Sequence, residues 1–328
     1  MKERIEWLAL LRGLNILLVV MFHVQLIDLS TGENHAFCPA VCRPFNAIRM
    51  PLFIFCSGGL LYLSRIRKDW RVKDLYADKF IRIGCPFLFF VTFYYFFKLA
   101  LNPFVKTKVA FSVHDFLMSF CLFPGHPSAH LWFLSVLFWF MLLYPLFRWL
   151  CRQSWRVGGV FLFFCVALYF VDIDVDNNYF YLFSLHKYLV YFFFGIFFFR
   201  YDLYNRLEGL TALLLTAALF AVCTMFDVPL LTSIAGILLM IAICRQLARI
   251  CPALFVSFRD YIYQIFLMSF IFQPFVELIL WKKLFYNEHL FLLFYVLNIL
   301  AGIYLPVWIS RWAERSRIRA LRVCLGLK

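Results

Sequence analysis

The apolar stretch from Trp7 to Leu29, WLALLRGLNILLVVMFHVQLIDL, constrains the fold most, because it is long enough to cross a bilayer and yet carries Arg12 and His23. About 20 apolar residues span the hydrocarbon core. At about 100° per residue, eleven steps from Arg12 bring His23 back to nearly the same azimuth, about 16 Å further along the helix. Ionisable side chains avoid lipid. The spacing therefore predicts an interior cavity, with Arg12, Asn15 and His23 on one wall, as the candidate active site.

An ordinary structural role is the alternative for both ionisable side chains. Arg12 can extend to the cytoplasmic headgroups, and His23 can be a hydrogen-bonded residue inside a helix bundle. The two residues alone leave this alternative open.

The composition of the whole chain is that of a polytopic membrane protein. Of the 328 residues, 64% are hydrophobic and 21% are aromatic, and the mean hydropathy is +0.83, which excludes a soluble domain. The net charge of +14 would suit nucleic acid, but the basic residues follow membrane topology, so we expect no nucleic-acid partner.

The scattered cysteines show no CxxC spacing, and we expect no metal. Cys38 and Cys42 flank a short outer loop, where a disulfide or two free thiols are both compatible with the sequence.

Long apolar stretches, broken by charged or proline-containing loops, predict an all-α fold of about ten transmembrane helices. They lie near residues 7–29, 46–64, 80–101, 130–150, 157–172, 183–200, 209–226, 229–248, 256–281 and 289–312. The first stretch lacks a cleavage site and should remain as an anchor.

The basic residues predict the orientation of these helices. With a cytoplasmic N-terminus, 23 of the 32 lysines and arginines lie inside and 8 outside, with Arg12 counted as intramembrane. We therefore expect both termini in the cytoplasm and a multi-pass protein of the inner (plasma) membrane. The chain is expected to form one transmembrane domain over residues 1–328, with a basic cytoplasmic tail at 314–328 that lies along anionic lipid.

Two further segments carry small or basic residues. In the second predicted span, RMPLFIFCSGGLLYL places Ser57 and Gly58 in mid-membrane, where small residues ordinarily allow close helix packing. The following loop is the most basic of the chain and ends in Lys79 and Arg82. Topology explains most of its charges. Two cations one turn apart at a helix start also suit phosphate groups.

Three of these features resemble motifs of the membrane-bound acyltransferase 3 family. An arginine, ten residues and a histidine, here Arg12 and His23, resemble its first-helix signature. The RMPLFIFCSGGLLYL stretch is similar to its PLFFFLSGFL. Lys79, Arg82 and Pro86 resemble its R-x-x-R-I-x-x-P element, although lysine stands at Lys79 where arginine is usual.

A fourth match follows at the start of the predicted fourth span, with departures around it. HLWFL, which contains His130 and Trp132, and the later LLYP, which ends at Pro145, resemble two more family elements. The glutamate that follows the tryptophan in longer cell-wall members is missing between Ser135 and Phe138. FRDYIYQIFLMSF resembles the family's late SYxIYLxH element, but it departs from that element at Asp260, Gln264 and Ser269.

The resemblance implies an integral-membrane O-acyltransferase, most often an acetyltransferase. Such an enzyme uses acetyl-CoA as co-substrate, holds no bound cofactor, and modifies a sugar hydroxyl of a cell-envelope or lipid-linked glycan. The type implied is short and stand-alone, without an SGNH-type hydrolase domain. Its expected partners are acyl-CoA, the glycan acceptor and the lipid bilayer.

Within that expectation each candidate residue has a role. His23 is the general base, since neutral imidazole accepts a proton near physiological pH. Arg12 stays protonated and either holds a CoA phosphate or polarises the thioester carbonyl. Lys79 and Arg82 are expected to bind CoA phosphates. The residues expected to line the substrate cavity are Asn15, Ser57, Gly58, His130, Trp132 and Glu277. Because no serine or cysteine has a nucleophile's setting, we expect direct transfer in preference to an acyl-enzyme, and a covalent relay stays open as the alternative.

Two other functions fit parts of the pattern. In a transporter or flippase for a glycan or small anion, Arg12, His23 and Glu277 would form a substrate or proton path. The sequence shows no inverted repeat that would favour this reading. In a non-catalytic membrane scaffold, the same residues would be replaceable without loss.

Overall fold

The structure, a computed structural model, describes residues 5–27, 33–103, 108–122, 126–173 and 178–327. The regular elements of this part are helices, apart from one antiparallel bridge between Ile27 and Asn34. The end of the predicted first span, at residues 28–29, and Lys328 of the predicted tail lie outside the described residues. The all-helical class expected from the sequence is confirmed.

Fifteen α-helices follow one another in the part of the chain that the structure describes. They are α1 (Glu6–Phe22), α2 (Phe37–Cys42), α3 (Arg49–Leu61), α4 (Val72–Lys79), α5 (Cys85–Ala100), α6 (Val113–Ser119), α7 (Trp132–Leu142), α8 (Tyr144–Leu150), α9 (Trp155–Tyr169), α10 (Leu185–Arg200), α11 (Gly209–Met225), α12 (Pro229–Ile250), α13 (Ile262–Phe275), α14 (Phe291–Arg315) and α15 (Arg319–Cys324). Short 3-10 segments lie at Arg43–Phe45, Ala129–Leu131, Tyr179–Ser184, Leu203–Arg206 and Glu288–Leu290.

Helices of this composition suit a membrane, because a backbone in lipid must satisfy its hydrogen bonds within the segment. In the described residues, five helical stretches are long and apolar enough to cross one: Val72–Ala100, Tyr179–Arg200, Pro229–Ile250, Ile262–Leu284 and Glu288–Arg315. The number rises to seven if two bent pairs, Phe37–Phe45 with Arg49–Ile66 and Ala129–Leu142 with Tyr144–Leu150, each form one span. α1, α9 and α11 are shorter, at 17, 15 and 17 residues. A helix lies at each of the ten predicted positions, while the count of ten spans and the cytoplasmic termini remain predictions.

Three π-helical segments interrupt long helices in the described chain, at Tyr62–Ile66, Phe80–Gly84 and Val276–Leu284. Pro86 accounts for the second, because proline has no N–H and its ring excludes the carbonyl four residues earlier, that of Arg82. The segments carry Arg65, Arg82 and Glu277, and π-helical turns are frequent at functional sites.

The chain packs as two compact units. Unit 1 comprises Met1–Phe53 and Leu203–Ser316, and unit 2 comprises Ile54–Asp202 and Arg317–Lys328. The division falls within α3. The single domain over residues 1–328 stays a prediction.

In unit 1, α1 packs against α12, α13 and α14. Gly302 of α14 permits the close approach, because a Cβ there would lie 2.9 Å from Val20 Cγ1 and 3.0 Å from Gln273 Cγ. The second half of α1 is thereby held against α13 and α14, and His23 follows directly after it.

In unit 2, α10 packs against α7 and α9 and crosses the second half of α3. A Cβ on Gly58 would lie 2.9 Å from the carbonyl carbon of Phe192 and overlap its oxygen, and a Cβ on Gly195 would overlap the carbonyl oxygen of Phe55. The two helices therefore touch backbone to backbone. The last helix, α15, packs against α5.

Candidate active site

His23 ends α1 as its C-terminal cap, and the fold determines which of its nitrogens can accept a proton. Nδ1 lies 2.7 Å from the carbonyl oxygen of Val19, one turn earlier on the helix. Because a carbonyl oxygen only accepts hydrogen bonds, Nδ1 carries the hydrogen of the neutral ring. Nε2 is then left with the free electron pair that a general base needs.

Two aromatic side chains hold the imidazole ring edge-on. The centroid of Phe270, from α13, lies 4.4 Å from that of His23 with 61° between the planes, and Phe22 lies 5.7 Å away at 81°. His23 itself is half-buried. The ring is therefore oriented by α1 and α13 together.

Arg49, the first residue of α3, is the cation beside His23, and it was not predicted from the sequence. Its guanidinium carbon lies 3.1 Å from the centroid of the Phe22 ring, and its charge lies close enough to interact with the imidazole. The only signal for it in the sequence was its place at the head of the RMPLFIFCSGGLLYL motif.

Asn15 lies one helical turn beyond Arg12 and connects α1 to the start of α3. Its side chain is 1% exposed. In the amide orientation that satisfies both of its polar atoms, it donates to the carbonyl of Arg49 and accepts from the N–H of Phe53, each at 3.0 Å. Asn15 thus positions the first turn of α3. Arg12 is half-buried on the same continuous helix.

A network of buried polar side chains lies where α13 contacts the C-terminal end of α1. Gln273 Nε2 donates to the Val20 carbonyl at 2.9 Å and to Asn298 Oδ1 at 3.0 Å, and Asn298 Nδ2 donates back to the Gln273 carbonyl at 3.2 Å. Glu277, one turn further on, is 9% exposed and interacts electrostatically with Cys38. This network joins α1, α13 and α14.

The thiols of Cys38 and Cys42 are free and buried in this structure. They lie one turn apart on α2, close enough to each other to interact electrostatically, and Cys42 is also in range of Arg49. In the described residues no three His, Cys, Asp or Glu side chains are grouped so that they could hold a metal ion.

In unit 2, Lys79 and Arg82 belong to a cluster of charges. Asp78 accepts from Arg65 at 2.8 Å and from Arg82 at 2.9 Å, and all three interact electrostatically with Lys79. The guanidinium carbon of Arg65 also lies 3.5 Å from the Trp70 ring centroid. Three cations thus surround one carboxylate, which leaves positive charge available for an anion. Neither Arg65 nor Asp78 was predicted as a site residue, although the i, i+4 spacing of Asp78 and Arg82 is visible in the sequence.

An apolar groove of about 390 Å³ lies beside this cluster. Its walls include Phe80, Ile83, Gly84, Phe87, Leu134 and Phe138. Phe80, Ile83 and Gly84 belong to the same π-helical segment as Arg82, so the groove lies against the segment that carries this cation.

The remaining predicted cavity residues also lie in unit 2. His130 packs edge-on against Tyr94, with centroids 4.3 Å apart, and Trp132 stacks against Tyr181 at 5.3 Å and Tyr188 at 5.0 Å. Gly58 packs against the backbone of α10 at Phe192, which leaves no space for a substrate beside it. The half-buried Ser57 precedes Gly58 on α3.

The units therefore divide the predicted site residues into two sets. The predicted residues in unit 1 are Arg12, Asn15, His23 and Glu277, and the structure shows Arg49 beside His23 in the same unit. Unit 2 contains Ser57, Gly58, Lys79, Arg82, His130 and Trp132 and adds Arg65 and Asp78.

Membrane-length helices around an oriented imidazole define an integral membrane protein with a candidate general base. The family model described as an acyltransferase domain, Acyl_transf_3, matches residues 5–311. The chain therefore belongs to the acyltransferase 3 family, and the family predicted from the sequence is confirmed. No curated protein and no solved structure matches it significantly.

Proposed function

We propose that this membrane acyltransferase transfers an acetyl group from acetyl-CoA to a hydroxyl of a cell-envelope or lipid-linked glycan in the inner membrane. The observation that carries the proposal is the hydrogen bond between His23 Nδ1 and the Val19 carbonyl, because it leaves Nε2 as a proton acceptor. Membership of the acyltransferase 3 family supports the reaction class.

In the proposed reaction, the acceptor hydroxyl oxygen attacks the thioester carbonyl carbon while its proton passes to Nε2 of His23. The carbon–sulfur bond then breaks. The CoA thiolate leaves and takes the proton from the imidazolium, so that free CoA and the acetylated glycan are the products. Glu277, a buried carboxylate of unit 1, is proposed to bind hydroxyl groups of the acceptor.

Ser57, His130 and Trp132 stay proposed cavity residues. The hydrogen bonds of Asn15 and the packing of Gly58 support structural roles for these two instead.

Purified protein in nanodiscs, supplied with acetyl-CoA, tests the role of His23. Release of CoA, followed by mass spectrometry because the chain has many thiols, should fall about 10²- to 10⁴-fold in His23→Ala. His289→Ala is the matched control, since His289 is an exposed histidine of the same unit. Envelope glycans from cells with and without the gene identify the acceptor. Near-normal transfer by a folded His23→Ala variant would refute the mechanism.

The donor site is proposed to use Lys79 and Arg82 for CoA phosphates, with the positive surplus around Asp78 as support. Replacing both with Gln should weaken acetyl-CoA binding by about tenfold or more, and the difference should shrink at high salt. Arg71 and Lys73 are exposed cations of the preceding segment, so their double Gln variant is the matched control. Equal affinities in the two double variants would leave Lys79 and Arg82 as topology charges.

A further inference from the structure

Arg49 stands where a charge-stabilising group is needed beside the candidate base. Its guanidinium carbon lies 3.1 Å from the centroid of the Phe22 ring, and Phe22 immediately precedes His23. Cation–π contact of this kind holds the planar guanidinium in one orientation. The N–H groups at the edge of the plane can then point away from the ring toward a ligand.

The backbone of Arg49 is fixed as well. Asn15 donates to its carbonyl and accepts from the N–H of Phe53, so the first turn of α3 is attached to α1, the helix that ends at His23. Base and cation are thus positioned by the same two helices. Donors that are already in place stabilise developing charge without reorganisation at the moment of reaction.

Arg12, the arginine predicted at the candidate site, lies farther along α1 from His23. Arg12 lies eleven residues before His23, which corresponds to about 16 Å of helix rise. Arg49 interacts electrostatically with the His23 ring itself. One reacting carbonyl can therefore be reached by His23 and Arg49 together, and Arg12 is left to contact a more distant part of the donor.

We propose that Arg49 is a catalytic residue that donates hydrogen bonds to the thioester carbonyl oxygen of the acyl donor. This inference rests on the proposed acyl transfer at His23. As the acceptor oxygen bonds to the carbonyl carbon, negative charge develops on the carbonyl oxygen, and the Arg49 guanidinium neutralises it without giving up a proton. When the carbon–sulfur bond breaks, the electron pair leaves with the CoA sulfur and the charge on the carbonyl oxygen disappears.

Arg49→Gln tests the proposal, and Arg43→Gln is its matched control. Arg43 is an exposed arginine in the segment just before α3. With acetyl-CoA as the probe, the kcat for release of CoA should fall about 10²- to 10³-fold in Arg49→Gln, which is the loss typical for one charge-stabilising donor. The Kd for acetyl-CoA should stay unchanged. The control should keep both constants.

Two further measurements separate catalysis from structure. Arg49→Lys keeps a cation but lacks the planar fork, so its kcat should fall by at least about tenfold at unchanged Kd. Added methylguanidinium should restore part of the activity of Arg49→Ala, which a purely structural role would not allow. If Arg49→Gln does not fold, the Lys variant decides the question.

The outcomes distinguish this proposal from the one on which it rests. Wild-type kcat in folded Arg49→Gln or Arg49→Lys, together with an inactive His23→Ala, would overturn the role of Arg49 alone. Absence of acetyl transfer and thioester cleavage in the wild-type protein would overturn the proposed function itself.

Discussion

Replacing Gly58 with Ala should destabilise the protein, because the added Cβ would overlap backbone of the neighbouring helix. It would lie 2.9 Å from the carbonyl carbon of Phe192 and nearer still to its oxygen, whereas ordinary contact begins at 3.4 Å. α3 and α10 would have to separate by on the order of 1 Å, since a backbone obstacle cannot rotate away. Overpacking of this kind costs about 1–3 kcal/mol.

Gly159→Ala is the matched control for this prediction. A Cβ on Gly159, within α9, meets nothing within 4 Å, so Ala should raise the free energy of unfolding by up to about 1 kcal/mol through helix propensity. Thermal unfolding in one detergent, followed by tryptophan fluorescence, compares the two variants. If Gly58→Ala unfolded at the temperature of Gly159→Ala, the packing argument would be wrong. If it were stable but inactive, Gly58 would be a cavity residue after all.

Gln273→Leu should lower the free energy of unfolding by about 1–3 kcal/mol, because it leaves the buried side-chain oxygen of Asn298 without its donor. Equilibrium unfolding measures the loss, and an unchanged value would contradict it. Hydrogen bonds from Arg148 and Arg152 lower the pKa of the exposed Asp69 below its usual 3.8, so their stabilising effect is present above about pH 4 and is lost as the pH falls through the lowered pKa. As the pH falls below about 4, the thermal midpoint of Asp69→Asn should therefore not show the decrease that the wild type shows from loss of these hydrogen bonds. Identical dependence of the thermal midpoint on pH in both proteins would exclude the effect. A reporter fused after α15 should read as cytoplasmic, and an outside reading would exclude an even number of spans.

Sequence and structure agree best where a property depends on neighbouring residues only. Long apolar stretches must be helical in lipid because their backbone groups have no other partners, so helices at the ten predicted positions could be read from composition and length. His23 and Arg12 on α1 could be found because each is costly in lipid wherever the helix packs. The family was also within reach, since its motifs are local.

The partners of these residues could not be read in the same way. In a soluble helix, a polar face marks the solvent and an apolar face marks the core. In this chain the lipid-facing and interior surfaces are both apolar, so the sequence contains no comparable signal for which face of α3 meets α1. Arg49 was therefore not predicted at the site, although its side chain lies beside Phe22 and His23.

What the sequence determined by itself is the helical class, the polytopic character and a small set of residues too polar to face lipid. The tertiary structure decided which of them meet. Gln273 donates to the carbonyl of Val20, from a part of the chain more than two hundred residues away, and Asp78 accepts from Arg65 across a turn. Such contacts depend on how whole helices approach one another, which is set by side-chain volumes and by glycines such as Gly302 and Gly58 acting together over the packed unit.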